Sequence, residues 1–375
     1  MPHQLDPLRH LEGELDGLDR QGLLRRPLTG PIEGLLDLCS NDYLGYARDP
    51  WPALNAQSGA GASRLVSGNS IAHTTAEESI ASWLGTEAAL LFSSGYAANV
   101  GTMSALAGPG DVIVSDALNH ASIIDGCRLS GASIRVVPHL DVTAVQTALA
   151  AAGTARRRWV VTESYFSMDG DTPDLAALAS TCRAYDAALI VDEAHALGVF
   201  GPEGRGLCAS LGVKPDVLIG TAGKSLGLHG AFVAGSASLR LWLWNRARSF
   251  VFSTGISPAL ATSLADRVQR VRQDDQARAR AADRSRRLRS ALAELGQPAI
   301  RAGHGPVIPW MVGEPAAAVA LSARLRAEGV LVQAIRPPTV PSGTARLRIT
   351  ATAALADADL DRAVRAFQTA LQTTG

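Results

Sequence analysis

Lysine is almost missing from this chain. Among 375 residues, 35 are basic and 35 acidic, yet only two of the basic ones, Lys214 and Lys224, are lysine. Chemistry that needs a side-chain primary amine therefore has two candidates. Net charge is missing as well: the formal balance at pH 7 is zero and no basic run occurs. That excludes nucleic acid or an anionic membrane as the main partner. The four cysteines, Cys39, Cys127, Cys182 and Cys208, form no CxxC and no His/Cys ligand spacing. A structural zinc or other metal site is not expected, and a reduced, cytoplasmic setting is.

A lipid-compatible run is lacking too. The longest uncharged stretch, Ala88 to Gly110, is punctuated by Ser93, Ser94, Gly95, Asn99, Gly101 and Pro109, which suits a strand–loop–helix better than a membrane span. Acids from Asp6 onward and the want of an apolar run beside them argue against a signal peptide. No GxSxG, HExxH or GxGxxG occurs, so the serine-hydrolase, zincin and dinucleotide fingerprints are all absent. Internal repeats and low-complexity linkers are absent as well.

What is present is an ordinary globular composition, 47% hydrophobic and 19% charged, long enough for one large core and a smaller one. Leu5, Leu8, Leu11, Leu15 and Leu18 recur at spacings of three and four, predicting an amphipathic N-terminal helix. Short apolar runs then alternate with helical patterns. The strands expected are Ala88–Ser93, Asp111–Ser115, Ser133–Val137, Trp159–Glu163, Ala187–Asp192, Asp216–Thr221 and Ala231–Gly235, with helices such as Asn119–Ser130 and Pro173–Tyr185 between them. Such alternation predicts an α/β fold with a mainly parallel seven-stranded sheet covered on both faces.

Ser257-Pro258 starts a helical pattern that meets no Gly or Pro up to Leu295, predicting one long connecting helix. Strands near Val307–Val312, Val330–Ile335 and Arg346–Thr350 and helices at Ala316–Ala327 and Asp357–Gln372 predict a small α+β domain. The expected division is 1–40, an N-terminal helix and segment packing with the small domain; 41–256, the large α/β domain; 257–298, the connecting helix; and 299–375, the small domain.

The chemistry concentrates at strand ends. AALIVDEAH, Ala187 to His195, is a buried strand ending in two acids and a histidine; a second, Asp216–Thr221, runs into Ala222-Gly223-Lys224-Ser225. In an open parallel sheet ligands sit at the carboxyl ends of strands, so Asp192, His195 and Lys224 are expected to converge there. A nucleotide-driven motor is excluded: the P-loop glycine that should precede Gly223-Lys224 by five positions is Leu218, and the order of the two motifs is reversed. A purely structural protein leaves the strand-end polar clusters without a purpose. A pyridoxal-phosphate enzyme remains. It needs an amine to hold the cofactor aldehyde and a carboxylate to keep the pyridine nitrogen protonated. Asp192 and Lys224, 32 residues apart, suit those roles. Lys214 sits before Pro215 in a polar turn and reads as solvated. Ser94-Gly95-Tyr96, between a strand and a helix start, offers backbone N–H groups to a phosphate. His120 lies at the next strand-to-helix turn, where an imidazole can stack on a flat ring.

These residues resemble the α-oxoamine synthases, pyridoxal-phosphate enzymes of fold type I (aminotransferase-like) that condense an amino acid with an acyl thioester and decarboxylate it. The resemblance covers nearly the whole chain. It is carried by SNDYLG (Ser40 to Gly45), SRLVSGN (Ser63 to Asn69), SGYAAN (Ser94 to Asn99), NHAS (Asn119 to Ser122), ESYFSMDG (Glu163 to Gly170), DEAHALG (Asp192 to Gly198) and Gly223-Lys224. It departs from the family in Gly59-Ala60-Gly61-Ala62-Ser63, where alanine stands in place of a further glycine, and in the polar Thr74-Thr75 after His73.

The resemblance implies roles residue by residue. Lys224 resembles the Schiff-base lysine and the base that removes the Cα proton, Asp192 the partner of the pyridine nitrogen, and His195 the hydrogen-bond partner of the cofactor's phenolic oxygen. His120 resembles the ring-stacking histidine, which also meets the substrate and, with Lys224, is a source of the proton returned to Cα. Ser94, Gly95 and Tyr96 match the phosphate turn, Ser167 and Thr221 hydroxyls around the cofactor, and Ser253 and Thr254 the phosphate contact supplied by a second subunit, implying a homodimer with shared sites. Asn41 and Arg348 match positions that hold the amino-acid carboxylate, while Arg25 and Thr339 match contacts near the acyl chain. Arg336 lies in the same signature, as a substrate contact or a structural ion pair. The stretch IRPPTVPSGTARLRIT, Ile335 to Thr350, is most similar to the branch that joins L-alanine to a pimeloyl group carried on coenzyme A or acyl carrier protein. The glycine acetyltransferases are the alternative branch.

Overall fold

The computed structural model describes residue 8 and residues 10–27, 33–50 and 57–372; Leu5 of the N-terminal leucine stripe lies outside them. The chain runs through α1 (His10–Arg20), β1 (Leu36–Asp37), α2 (Ile71–Leu84), β2 (Ala88–Phe92), α3 (Gly95–Leu106) and β3 (Val112–Asp116). Next come α4 (Ala121–Ser130), β4 (Ser133–Val137), α5 (Val142–Ala150), β5 (Arg158–Glu163), α6 (Leu175–Ala184), β6 (Ala187–Asp192) and α7 (Gly206–Ser210). Then follow β7 (Val217–Thr221), β8 (Ala231–Gly235), α8 (Ala237–Arg246), α9 (Arg248–Val251), α10 (Pro258–Gln273) and α11 (Asp275–Ala293). The chain ends with β9 (Val307–Gly313), α12 (Pro315–Ala327), β10 (Val330–Leu331), β11 (Gln333–Ile335), β12 (Ala345–Thr350) and α13 (Asp357–Gln372). These elements form two compact units: residues 41–283 with 352–354, and residues 1–40, 284–351 and 355–375.

The larger unit is built on a seven-stranded sheet in the order β2-β8-β7-β6-β5-β3-β4. All neighbours are parallel except β8, which runs antiparallel to both β2 and β7. The strands are short apolar runs, and β3 and β7 are buried at every residue. That is the pattern of a sheet covered on both faces. Leu90, Ile113, Ile190 and Ile219 enter one core, and Val114, Val160, Leu189 and Val191 enter another. Because β5, β6 and β7 are parallel and in register at Glu163, Asp192 and Ile219, their polar terminal residues share one sheet edge.

The smaller unit pairs β1 with β10 in parallel and orders β11-β12-β9 antiparallel. Alternation along β12 sends Leu347 and Ile349 into a core with Trp310, Leu325 and Phe367. The run expected as one strand from Val330 to Ile335 is divided here: β10 and β11 belong to different sheets. No residue of α1 is buried. The contacts of the N-terminal segment come after that helix, where Arg25 Nη2 donates to Thr339 Oγ1 at 3.2 Å and Arg336 Nη1 donates to the Gly22 carbonyl.

The single connecting helix expected from Ser257 to Leu295 is two helices. Asp274, between α10 and α11, takes φ −93° and ψ 63°. Its carboxylate accepts the Ala277 N–H at 2.8 Å and the Tyr46 hydroxyl at 2.6 Å. A side chain that caps a new first turn competes with continuation of the old one.

Candidate active site

Asp192 ends β6, 7% exposed. Its two oxygens accept from neutral donors: Ala194 N to Oδ1 at 2.8 Å and Asn99 Nδ2 to Oδ2 at 2.8 Å. A carboxylate accepts about four hydrogen bonds, so acceptor capacity remains for a ligand N–H. Asn99, on α3, uses the same amide group to reach Ser122 Oγ at 3.0 Å. Ser122 in turn points two donors at one histidine nitrogen, its Oγ lying 2.7 Å and its backbone N 3.2 Å from Nδ1 of His120. Nδ1 is therefore the acceptor, and the neutral ring carries its proton on Nε2. A hydrogen-bonded line thus joins His120 to Asp192 through Ser122 and Asn99.

Beneath that line lies Glu163 at the end of β5, directly opposite Asp192 in register. Its Oε1 accepts the backbone N–H of His120 at 2.8 Å. Burial, then the neighbouring charge of Asp192, pushes the Glu163 carboxyl up to about 8, with Lys224 opposing. Two adjacent carboxyls in such a place do not both ionise readily. His120 is exposed as a residue, yet the protein packed around its ring lowers its pKa. Asp192 pulls it up and Lys224 pushes it down. Both Asp192 and Lys224 are therefore felt at His120 and at Glu163.

The acids and histidine of DEAH divide their work. Glu193, fully buried, accepts from Ser164 Oγ at 2.7 Å, Leu207 N at 3.1 Å and Cys208 N at 2.6 Å, and so caps the first turn of α7. His195 turns its Nδ1 to the hydroxyl of Tyr43, 2.6 Å away. Tyr43 is wholly buried, and its hydroxyl also lies 3.3 Å from Oδ1 of Asn41.

Lys224 follows β7 in a turn closed by Gly227 N donating to the Lys224 carbonyl at 2.8 Å. Gly227 has φ +63°, and a Cβ there would come within 2.6 Å of the Tyr46–Ala47 backbone, so the turn demands glycine. Thr221 Oγ1 donates to the Gly230 carbonyl at 3.0 Å and accepts Gly223 N at 3.2 Å. At the start of α3, Ala97 N and Ala98 N are taken by the Ser94 hydroxyl at 3.1 Å and the Ser94 carbonyl at 2.9 Å. Gly95 N and Tyr96 N are left to face an anion at a helix N-terminus. The Tyr96 hydroxyl donates to Asp125, so its phenol is engaged away from that turn. Ser167, 8% exposed, lies in the turn after β5. Ser253 and Thr254 follow α9, where Thr254 pairs as an antiparallel bridge with Ser63.

In the smaller unit Arg348 and Arg346 are both buried on one face of β12, and Arg348 Nη1 lies 3.3 Å from Thr350 Oγ1. Arg336 lies in the same unit. Its guanidinium meets backbone carbonyls, of Gly22 and, at 3.5 Å, of Leu24. Its Nε is buried without a partner. Burial and the nearby charge of Arg25 lower its pKa. Among the described residues, its hydrogen bonds go to backbone carbonyls and not to a carboxylate.

Tyr43, Asn99, Ser122 and Glu163 were given no role by the sequence. Each lies inside a motif quoted above, but only the fold reveals which atom each one touches. Two further observations test the fit of pyridoxal phosphate. Asn99 Oδ1 and Ser225 Oγ, beside Asp192 and Lys224, are buried polar atoms without a hydrogen-bond partner. Such atoms are uncommon unless a ligand completes them. With a carboxylate of spare capacity, an amine and an open helix start on one unit, the residues fit the cofactor.

Comparison with known proteins agrees. The family model for aminotransferase class I and II matches residues 33–367. The chain is similar to an 8-amino-7-oxononanoate synthase of Marinobacter nauticus, 44% identical over 382 residues and covering 96% of each chain. Among solved structures it is similar to the serine palmitoyltransferase of Sphingomonas wittichii, with a TM-score of 0.90, 30% identity and 99% of each chain covered. A serine palmitoyltransferase solved with its pyridoxal phosphate gives a TM-score of 0.89 at 27% identity, covering 98% of this chain and 99% of that one.

Proposed function

The chain belongs to the class I and II aminotransferase family, among its 8-amino-7-oxononanoate synthases, and on that premise we propose its reaction. L-Alanine condenses with a pimeloyl thioester of coenzyme A or acyl carrier protein. CO₂ and the free thiol leave, and 8-amino-7-oxononanoate, an intermediate of biotin biosynthesis, is formed. One observation supports the reading: Asp192 ends β6 and Lys224 follows β7, its parallel neighbour, so carboxylate and amine come from the same edge of the sheet.

Pyridoxal phosphate, when bound, supplies the electron sink for the charge left at the amino acid's Cα. The chain's own groups do the rest. Lys224 would hold the cofactor aldehyde, and its amine, when free, would remove the Cα proton. Asp192 keeps the ring nitrogen protonated, with Asn99 and Ala194 N holding its carboxylate in place. His120 would stack on the ring, and the one proton returned to Cα would come from Lys224 or from Nε2 of His120. General acid–base help of this sort is worth about 10²–10⁴-fold. Gly95 N, Tyr96 N and Ser94 would take the phosphate, Thr221 and Ser167 would lie around the cofactor, and His195 would meet the ring oxygen.

For the substrate, Asn41 and Arg348 are assigned to the amino-acid carboxylate, for which a planar guanidinium is well shaped. Arg25, Thr339 and Arg336 are assigned to the acyl end. Ser253 and Thr254 reach the cofactor phosphate of a second subunit, so the working form is a homodimer with shared sites. A cytoplasmic setting suits its four free cysteines.

The test supplies L-alanine, glycine or L-serine to the loaded enzyme, each with a pimeloyl or an acetyl thioester, and measures thiol release. Release with alanine and pimeloyl thioester is expected, on coenzyme A and acyl carrier protein in separate arms. Selective use of glycine with the acetyl thioester would move the chain to the acetyltransferase branch. Borohydride reduction of the loaded enzyme should fix the cofactor to Lys224 and leave Lys224→Ala unlabelled; label found on Lys214 instead would overturn the assignment.

A further inference from the structure

The contact between Tyr43 and His195 has a direction. A hydroxyl has one proton, and the acceptors within reach of Tyr43 Oη include His195 Nδ1 at 2.6 Å and Asn41 Oδ1 at 3.3 Å. O–H donors sit at about 2.5–3.0 Å from their acceptors, whereas N–H donors lie nearer 2.9 Å. The shorter contact has the length of a bond in which oxygen is the donor; the longer is outside that range. The alternative order, with His195 Nδ1–H donating to Tyr43 and Tyr43 to Asn41, would need a short N–H bond and a long O–H bond. Both lengths are the wrong way round. Tyr43 is wholly buried and His195 6% exposed, so no competing solvent is at hand to reorder them.

We propose that Tyr43 is a positioning residue for the reaction: its hydroxyl donates to Nδ1 of His195 and so fixes the neutral tautomer that carries hydrogen on Nε2. His195 then presents a donor, not an acceptor, to whatever oxygen it meets. This rests on the reading above for one point only, that the oxygen is the cofactor's ring oxygen.

The first experiment uses the cofactor-free protein labelled with ¹⁵N-histidine. Two-bond ¹H–¹⁵N correlations report the tautomer of each of the eight histidines, and loss of a signal in His195→Asn identifies the one of interest. The expected pattern is Nε2–H in the wild type and a mixture with Nδ1–H in Tyr43→Phe. Nδ1–H in the wild type overturns the proposal even if the variant fails to fold, and an unchanged pure Nε2–H in Tyr43→Phe overturns it as well. The second experiment measures pyridoxal-phosphate affinity and the pH at which the visible band of the bound cofactor titrates. Tyr43→Phe and His195→Asn should each weaken binding by about tenfold, the worth of one hydrogen bond. The double variant should add nothing to His195→Asn. Additive losses would mean that Tyr43 acts by packing alone and would sink the proposal. If the tautomer is as stated but His195→Asn leaves the band unmoved, the cofactor role of His195 fails while that of Tyr43 towards His195 stands.

Discussion

Glu163 is the residue whose chemistry is most changed by its surroundings. Its carboxyl titrates near 8 in the folded chain, against an ordinary value of 4.5, chiefly because it is buried and then because Asp192 is charged. A folded state that binds the proton more tightly than the unfolded one is most stable at low pH and loses that stability as pH rises from about 4.5 through 8. Glu163→Gln keeps an acceptor for His120 N and removes the titration. Chemical denaturation from pH 5 to 9 should therefore show the wild type losing stability relative to Glu163→Gln, with the gap opening towards alkaline pH. A constant gap would mean that Glu163 is ionised throughout. At this scale the sequence was only half legible. Lys224, Asp192, His195 and His120 are marked by flanking residues that announce a strand end. Asn99, Ser122 and Tyr43 sit among small or apolar neighbours, and their importance is a matter of which atom faces which.

Elements were more legible than residues. Each strand of the large sheet was predicted to within a residue or so, because a sheet buried on both faces needs runs of five or six apolar residues and little else makes them. The break at Asp274 was not legible: Arg272-Gln273-Asp274-Asp275-Gln276 is polar and free of Gly and Pro, as any exposed helix face is. What ends α10 is a tertiary contact, the Tyr46 hydroxyl on the Asp274 carboxylate. Burial raises that carboxyl, but the Tyr46 bond and Ala277 N–H prevail and hold it below the ordinary range. Asp274→Ala removes both the cap and the tyrosine's acceptor and should cost about 1–2 kcal/mol. Thermal denaturation at neutral pH would register this as a lowered Tm. The difference should shrink in acid, where the wild-type carboxylate is itself protonated. An unchanged Tm would show that the break is set elsewhere. The division of Val330–Ile335 between two sheets was equally hidden, since an unbroken apolar run does not say which neighbour each half will pair with.

At the scale of the molecule, the sharing of sites between copies follows from family resemblance alone. It makes a quantitative claim. Lys224→Ala and the double variant Ser253→Ala/Thr254→Ala should each be inactive or nearly so. If each site draws Lys224 from one protomer and the serine–threonine pair from the other, mixing and refolding the two should restore activity. Random pairing makes half of the dimers mixed, each with one complete site, so recovery should approach about a quarter of the wild-type rate. No recovery would place all three groups on one chain's site.

The two lysines have a practical meaning that their scarcity alone does not give. Lys214 is exposed and precedes β7, whereas Lys224 follows the same strand, half-buried. One strand of about 3.3 Å per residue separates them, so they lie at opposite edges of the sheet. Once the cofactor occupies Lys224, a support that couples side-chain amines should capture this enzyme by Lys214, with the catalytic edge turned away from the surface. Peptide mapping after coupling should find Lys214 modified and Lys224 spared, and the immobilised protein should keep its turnover. Few proteins of this size come with a single side-chain handle already placed at the back of the active site.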